Sequence, residues 1–226
     1  MSGPDNLANL AFRERLQRGT KRVGISLDGT QLERLERYFD VLLRWNRKIN
    51  LTGLPLEGLP DHTLNRIFIE PLQAARLVED LPLRWFDLGS GGGSPAVPLK
   101  VLRPQLRLTL VESRSRKAAF LREVVRSLYL TETDVLSVRI DELVTTRNRG
   151  QADLLTTRGV KVDEKFLRTA ATLLRARGRL LLFGSSPPEP VNFRLIERFK
   201  LTDGASVLYV LQRTEGPSED THKAQA

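Results

Sequence analysis

Asp87, Gly89, Gly91 and Gly93 stand at two-residue intervals in the segment WFDLGSGGGSPAVPLKVL, and Glu112 follows 21 residues beyond Gly91. An apolar run precedes the glycines and an apolar, helix-forming run follows them. The pattern is therefore strand, tight turn, helix. Glycines at these positions let the backbone bend sharply and let a ligand approach the main chain. Pro95 falls near the first helical turn, where its missing N–H costs little. The unpaired N–H groups at the start of the helix favour a carboxylate or a phosphate. Two ligand classes fit such a turn. Gly91-x-Gly93-x-x-Ala96 matches the dinucleotide fingerprint, which would make the chain an NAD-dependent oxidoreductase. Asp87 argues for the other class. Its carboxylate repels a pyrophosphate but suits the cationic amino group of S-adenosylmethionine, held directly or through water. Glu112, at the end of the next strand, can accept two hydrogen bonds from ribose hydroxyls, which serves either cofactor. Asp87 thus carries the choice of S-adenosylmethionine.

The elements that must hold these residues can be read from periodicity. From Arg84 onward, short apolar runs alternate with helical stretches. Strands are expected at Trp85–Leu88, Leu106–Val111, Val135–Ile140, Leu154–Thr156, Arg179–Phe183 and Ser206–Gln212. Helices are expected at Pro95–Leu102, Arg116–Leu130 and Lys161–Leu174. Alternation of this kind predicts an α/β, Rossmann-like fold, a mainly parallel twisted sheet with helices on both faces. Upstream, Leu32, Leu35, Phe39, Leu42 and Leu43 share one face of a helix over Thr30–Arg47, with Thr30 as N-cap and Glu33 three residues later. A second helix is expected over Asp61–Val78, kinked near Pro71. The chain is therefore expected to divide into a basic segment (1–29), a helical extension (30–82), a cofactor-binding domain (83–213) and a mobile polar tail (214–226).

The net charge is +9, and aromatic residues are only 6% of the 226. This charge directs attention to nucleic acid as a partner, while the scarcity of aromatics argues against a binder built mainly on base stacking. There are no cysteines and only two histidines, so disulfides are excluded and a transition-metal site is not expected. No apolar run approaches the length of a membrane span, and no signal peptide is recognisable, so a cytoplasmic protein is expected.

FDLGSGGGSPAVPLKVLRP, with LLRWNRKINLTG upstream and ESRSRKAAFLREV after the second strand, resembles the ribosomal RNA small subunit methyltransferase G family (glucose-inhibited division protein B). The resemblance runs from about Ser26 to Leu211. It implies a class I methyltransferase domain behind a helical N-terminal extension. It also implies S-adenosylmethionine as methyl donor and N7 of a guanine in small-subunit ribosomal RNA as acceptor. Carried over by motif, Gly89 and Ser94 would contact the cofactor, with Ser90 in the turn and Ser113 beside Glu112. Ile140 and Asp141 in RIDEL would flank the adenine, and Arg158 in LLTTRGV would stand at the mouth of the site as a substrate-positioning residue. The chain departs from the family in its substrate half. Asn65-Arg66-Ile67-Phe68-Ile69-Glu70 replaces an Arg-His pair followed by Asp-Ser, Gly159-Val160-Lys161 replaces small and aromatic residues, and Phe183-Gly184 replaces Lys-Gly.

Methyl transfer from a sulfonium is an in-line displacement with a neutral leaving group, so such an enzyme chiefly positions donor and acceptor. Guanine N7 carries a lone pair and no proton and needs no general base. Arg44, Arg47, Lys48, Arg66, Arg114, Arg116 and Lys117 are the candidates for RNA phosphate contact. Trp45 is a candidate for base stacking, although a tryptophan on an amphipathic helix is more often part of the core. A further alternative to catalysis is a methyltransferase-like module that binds ribosomal RNA without modifying it.

Overall fold

The computed structural model describes residues 4–184, 186–189, 192–202 and 206–214. The expected mobile tail beyond Thr214 lies outside them. A seven-stranded sheet runs in the order β3-β2-β1-β4-β5-β7-β6. Its strands are β1 (Arg84–Leu88), β2 (Arg107–Val111), β3 (Thr133–Leu136), β4 (Ala152–Arg158), β5 (Leu174–Phe183), β6 (Phe193–Leu201) and β7 (Ser206–Arg213). The first five in spatial order are parallel, and β7 is antiparallel to both β5 and β6.

The central strands of the sheet are buried on both faces, and their two-residue period sorts the core. Trp85, Leu108, Leu110, Leu154, Leu181, Leu208 and Val210 point to one face. That face is covered by α1 (Pro4–Arg22), α2 (Gly29–Asn46), α5 (Ala96–Leu102) and α6 (Ser115–Ser127). Phe86, Leu88, Val111, Leu155, Leu180, Leu182 and Leu211 point to the other face, under α7 (Glu164–Leu173). Such doubly covered strands read as continuous apolar runs, which is why most were visible in the sequence.

Several expectations are corrected. The basic N-terminal segment is mostly helix. Phe12 and Leu16 of α1 are buried, and Phe12 stacks on Phe39 with ring centroids 5.0 Å apart. The N-cap of α2 is Asp28 rather than Thr30, and it forms a capping box with Gln31. β3 ends at Leu136, short of the expected Ile140. One edge strand was missed altogether: β6 pairs only with β7 and exposes Arg194, Glu197 and Arg198, the charged pattern of a protected edge.

The expected helix over 61–78 is broken in a different way. α3 (Asp61–Leu64) passes through a π-helical turn, Asn65–Ile69, into α4 (Glu70–Ala74) and a 3₁₀ turn, Ala75–Leu77. In the π turn the Glu70 N–H donates to Asn65 O, one residue further back than in an α-helix. The carbonyl of Arg66 thereby loses its helical donor. Pro71 has no N–H to offer Ile67, so that carbonyl is released as well.

Candidate active site

Two neighbouring cavities open above the carboxyl ends of β1, β2 and β4, and Gly89, Glu112 and Val160 line both. One, of about 410 Å³, is walled by Ser113, Val138, Ile140, Asp141, Phe166 and Thr169 among others. The second, of about 420 Å³, is walled by Ser90, Gly91, Gly92 and Ser94 of the turn and by Tyr38, Leu51, Thr52 and Leu54 of the extension. Arg66, Arg114, Lys117 and Arg158 also reach it, which makes its rim cationic. A crevice at the strand ends of an open parallel sheet is where such folds take nucleotide-like ligands.

Asp87 lies near the end of β1 and is 1% exposed. Its Oδ1 accepts from Thr156 Oγ1 at 2.5 Å, and Thr156 Oγ1 in turn accepts from Trp85 Nε1 at 2.9 Å. Among the described residues, Oδ2 has no hydrogen-bond partner. Burial, partly offset by the Thr156 hydrogen bond, pushes the carboxyl up to about 6. Asp87 lines neither cavity. It lies behind the turn, where Ser90 Oγ donates to its backbone carbonyl at 3.0 Å. A buried carboxylate with one unpaired oxygen beneath a glycine turn fits a group that brings positive charge and N–H donors.

Glu112 is fixed from both sides. Its Oε2 accepts from Gly91 N at 2.9 Å and its Oε1 from Arg114 N at 2.8 Å. Each oxygen keeps a lone pair for a hydroxyl in the cavity. Ile140 and Asp141 stand on the wall of the first cavity. No helix follows them, so Asp141 is not a helix cap. Arg139 Nε donates to Asp141 Oδ1 at 3.1 Å, and this contact first of all holds the exposed Asp141 below the usual carboxylate range.

The glycines divide by role. Gly93, at φ 88°, lines neither cavity: a Cβ there would lie 3.0 Å from Val97 and 3.2 Å from Tyr38 Oη, so it is a packing position. Gly91 has room, its nearest neighbour being Gly89 O at 3.7 Å. Gly89, at φ 76°, would place a Cβ 2.5 Å from Val160 Cγ2, on the ridge between the cavities. Gly89→Ala should therefore weaken cofactor binding by roughly tenfold or more, and Gly91→Ala by less. Calorimetric titration of the two variants checks this, and equal losses would remove Val160 from the explanation.

Arg158 lines the second cavity but is buried rather than solvated there. Its side chain is 8% exposed and Nη2 donates to Glu70 Oε2 at 2.7 Å, with the Glu70 side chain 4% exposed. Nη1 donates to the released Arg66 carbonyl, and Ser94 Oγ is 3.4 Å away. Ser94 Oγ donates to the released Ile67 carbonyl at 3.0 Å. The guanidinium lies over the Phe183 ring, 4.5 Å from its centroid. Burial pulls Arg158 down to about 10, with Glu70 opposing, so it remains a cation. The Arg66, Glu70 and Phe183 departures from the family pattern are therefore packed around one arginine.

Of the other cations, Arg66, Arg114 and Lys117 reach the second cavity, whereas Arg44, Arg47, Lys48 and Arg116 do not. Arg44 pairs with Glu123, and Arg47 lines a separate cavity with Asn46, Leu54 and Glu57. Trp45 belongs to the packing: its Nε1 donates to Glu123 at 2.8 Å and its ring meets Phe120 edge-on. Four positioning residues escaped sequence reasoning. Thr156 looks like any strand threonine, and Glu70 like a surface helix residue. Tyr38, buried, donates to Gly92 O at 2.6 Å. Asn46 Oδ1 accepts from Leu51 N at 3.0 Å and Thr52 N at 3.1 Å and so shapes the loop that faces the turn. The Trp-Asn … Asn-Leu-Thr spacing was the available signal for Asn46. Among the described residues no helix is long and apolar enough to cross a membrane, and no cluster of ligating side chains could hold a metal.

Strand order, cradle and acid positions define a class I S-adenosylmethionine-dependent methyltransferase. A solved S-adenosylmethionine-dependent methyltransferase from Aquifex aeolicus shares the fold, with a TM-score of 0.54 at 15% identity over 70% of this chain and 96% of that one. The chain belongs to the rRNA small subunit methyltransferase G family, whose profile matches residues 31–192. Relatives named ribosomal RNA small subunit methyltransferase G include one from Stutzerimonas stutzeri, 32% identical over 91% of this chain and 92% of its own. Another, from Roseiflexus sp., is 38% identical over 70% of this chain and 67% of its own. S-adenosylmethionine is thus the cofactor, and the dinucleotide reading of the glycine turn is set aside.

Proposed function

We propose that the protein transfers the methyl group of S-adenosylmethionine to N7 of a guanine in small-subunit ribosomal RNA, and that it works in the cytoplasm, where such RNA is assembled. The observation that carries the site assignment is the Gly89–Ser94 turn laid over Asp87, with Glu112 shared by both cavities. In this reading the adenosine occupies the cavity of Ile140, Asp141 and Phe166, with its ribose on Glu112. The methionine end lies over Ser90 and Gly91, where Asp87 balances its ammonium. The guanine enters the second cavity between Leu51–Thr52 and Val160, with Arg66, Arg114 and Lys117 near its phosphates.

The guanine N7 lone pair forms the new N–C bond as the C–S bond breaks, and the electron pair of that bond returns to sulfur. No proton moves. The protein holds the two reactants in line and keeps water out, which is where the rate enhancement of such a reaction lies. Tritiated methyl transfer to small-subunit ribosomal RNA, followed by nucleoside mapping, tests this. The expected product is 7-methylguanosine. Label at another nucleoside, or RNA binding without label, would overturn the proposal.

A further inference from the structure

A groove between the exposed face of α2 and the C-terminal end of α6 has no part in the site described above. It is lined by Arg37, Asp40, Val41, Arg44, Arg126, Ser127 and Tyr129, with a volume of about 470 Å³. Tyr129 is the notable member. It sits just past α6, where its N–H donates to Arg126 O at 3.2 Å and the Leu130 N–H to Val125 O at 3.0 Å. This is the closing pattern in which glycine is the favoured residue, because the backbone must turn left-handed. Tyr129 takes φ 52° there and is 73% exposed. A bulky aromatic at a position suited to glycine, with little burial in return, breaks a local rule without a folding benefit.

The neighbours of Tyr129 indicate what it serves. The Arg37 guanidinium lies 5.9 Å from the centre of the ring and also caps Ser127 O at 3.0 Å. Arg126 is exposed, and its side chain has no ion-pair or hydrogen-bond partner among the described residues. Arg44 is engaged with Glu123, and Asp40 brings one negative charge, so the groove remains net cationic. An aromatic face beside the unengaged guanidinium of Arg126 is the chemistry that takes a nucleobase and its flanking phosphate. The groove is also suitably placed. Lys117, on the cavity, and Tyr129 are separated by the length of α6, about 18 Å at the rise of a helix. Roughly five stacked nucleotides of one strand would span that distance.

We propose that this groove holds a single-stranded segment of the RNA substrate, with a base on Tyr129 and its phosphates on Arg126 and Arg37, while the target base occupies the cavity. This rests on RNA being the substrate. The test is Tyr129→Gly with Arg126→Gln, changes that suit the turn and the exposed helix face and so preserve the fold. Filter binding of small-subunit ribosomal RNA should weaken by roughly tenfold. KM for the RNA should rise, with kcat at saturating RNA and the affinity for S-adenosylmethionine unchanged. The slope of RNA affinity against salt should fall by about one unit. Unchanged RNA affinity in an otherwise active variant overturns the groove alone. So does a defect seen only with intact small subunits and not with naked RNA, which would assign the groove to a ribosomal protein. A wild-type protein that neither binds nor methylates the RNA overturns the parent reading and this one with it.

Discussion

Asp87→Asn should lower the affinity for S-adenosylmethionine by tenfold or more while leaving the cofactor-free protein as stable as before, or more so. The carboxyl of Asp87 is pushed up to about 6, chiefly by burial. An acid whose folded value lies above its unfolded one binds its proton more tightly when folded, so its ionisation works against folding. That penalty is absent below about pH 3.8, grows as pH rises towards 6, and is complete above it. A rise from 3.8 to about 6 corresponds to roughly 3 kcal/mol at most. Asparagine removes the ionisation cost and still accepts from Thr156, although its amide N–H groups then lack partners, so the net gain is smaller. The cofactor reverses the balance, because an ammonium favours the ionised carboxylate. Wild-type affinity should accordingly fall by up to tenfold for each step of one in pH below about 6, and the Asn variant should lose this dependence. Calorimetric titration between about pH 5 and 7 reads both effects. A wild-type Kd that is flat across the range would remove Asp87 from cofactor binding.

The second large effect belongs to Arg158→Ala. Removing the arginine strands Glu70 in a place where its side chain is 4% exposed. Breaking one partner from such a pair costs about 3–5 kcal/mol. For a chain of this size that lowers Tm by roughly 10 °C. It also uncaps the Arg66 carbonyl and bares the face of Phe183. Pairing Arg158→Met with Glu70→Leu should recover most of the stability, since an apolar pair avoids the desolvation cost. Methyl transfer should stay low in the double variant, because neither side chain holds Ser94 and the π turn in place. Thermal unfolding and methyl transfer measured side by side check this. Full activity in the double variant would show that the ion pair serves stability alone.

Legibility in the sequence followed the physics of each element. β1, β2 and β4 are buried on both faces and announced themselves as apolar runs. The glycine turn was legible because positive φ demands glycine, and Gly89, Gly91 and Gly93 all take it. β6 was hidden because an edge strand advertises charge rather than alternation. α1 was hidden because its large buried apolar side chains, Phe12 and Leu16, are diluted by arginines. Three of the four candidate residues that escaped, Tyr38, Glu70 and Thr156, share another property: they act on neighbours far away in the chain. Thr156 meets Asp87 across 69 positions and Arg158 meets Glu70 across 88. No local pattern encodes such pairs. The departure of Glu70 and Phe183 from the family pattern was visible in the sequence, but their convergence on Arg158 needed the fold.

The two carbonyls released at the π turn bear on how this chain can be divided. Arg158 and Ser94 belong to the sheet and its turn, while their acceptors, Arg66 O and Ile67 O, belong to the extension. The helical region is thus stitched to the cofactor domain through acceptors that its own helix gave up. It supplies part of the wall of the second cavity and is not a detachable accessory. Deleting one residue within 65–69 would restore α-helical spacing, return one of the two carbonyls to the helix while Pro71 keeps the other without a donor, and turn everything upstream by about 100° around the axis. Residues 65–71, Ser94 and Arg158 therefore form one unit of inheritance. A chimera that exchanges the extension between relatives should work only when these positions travel together.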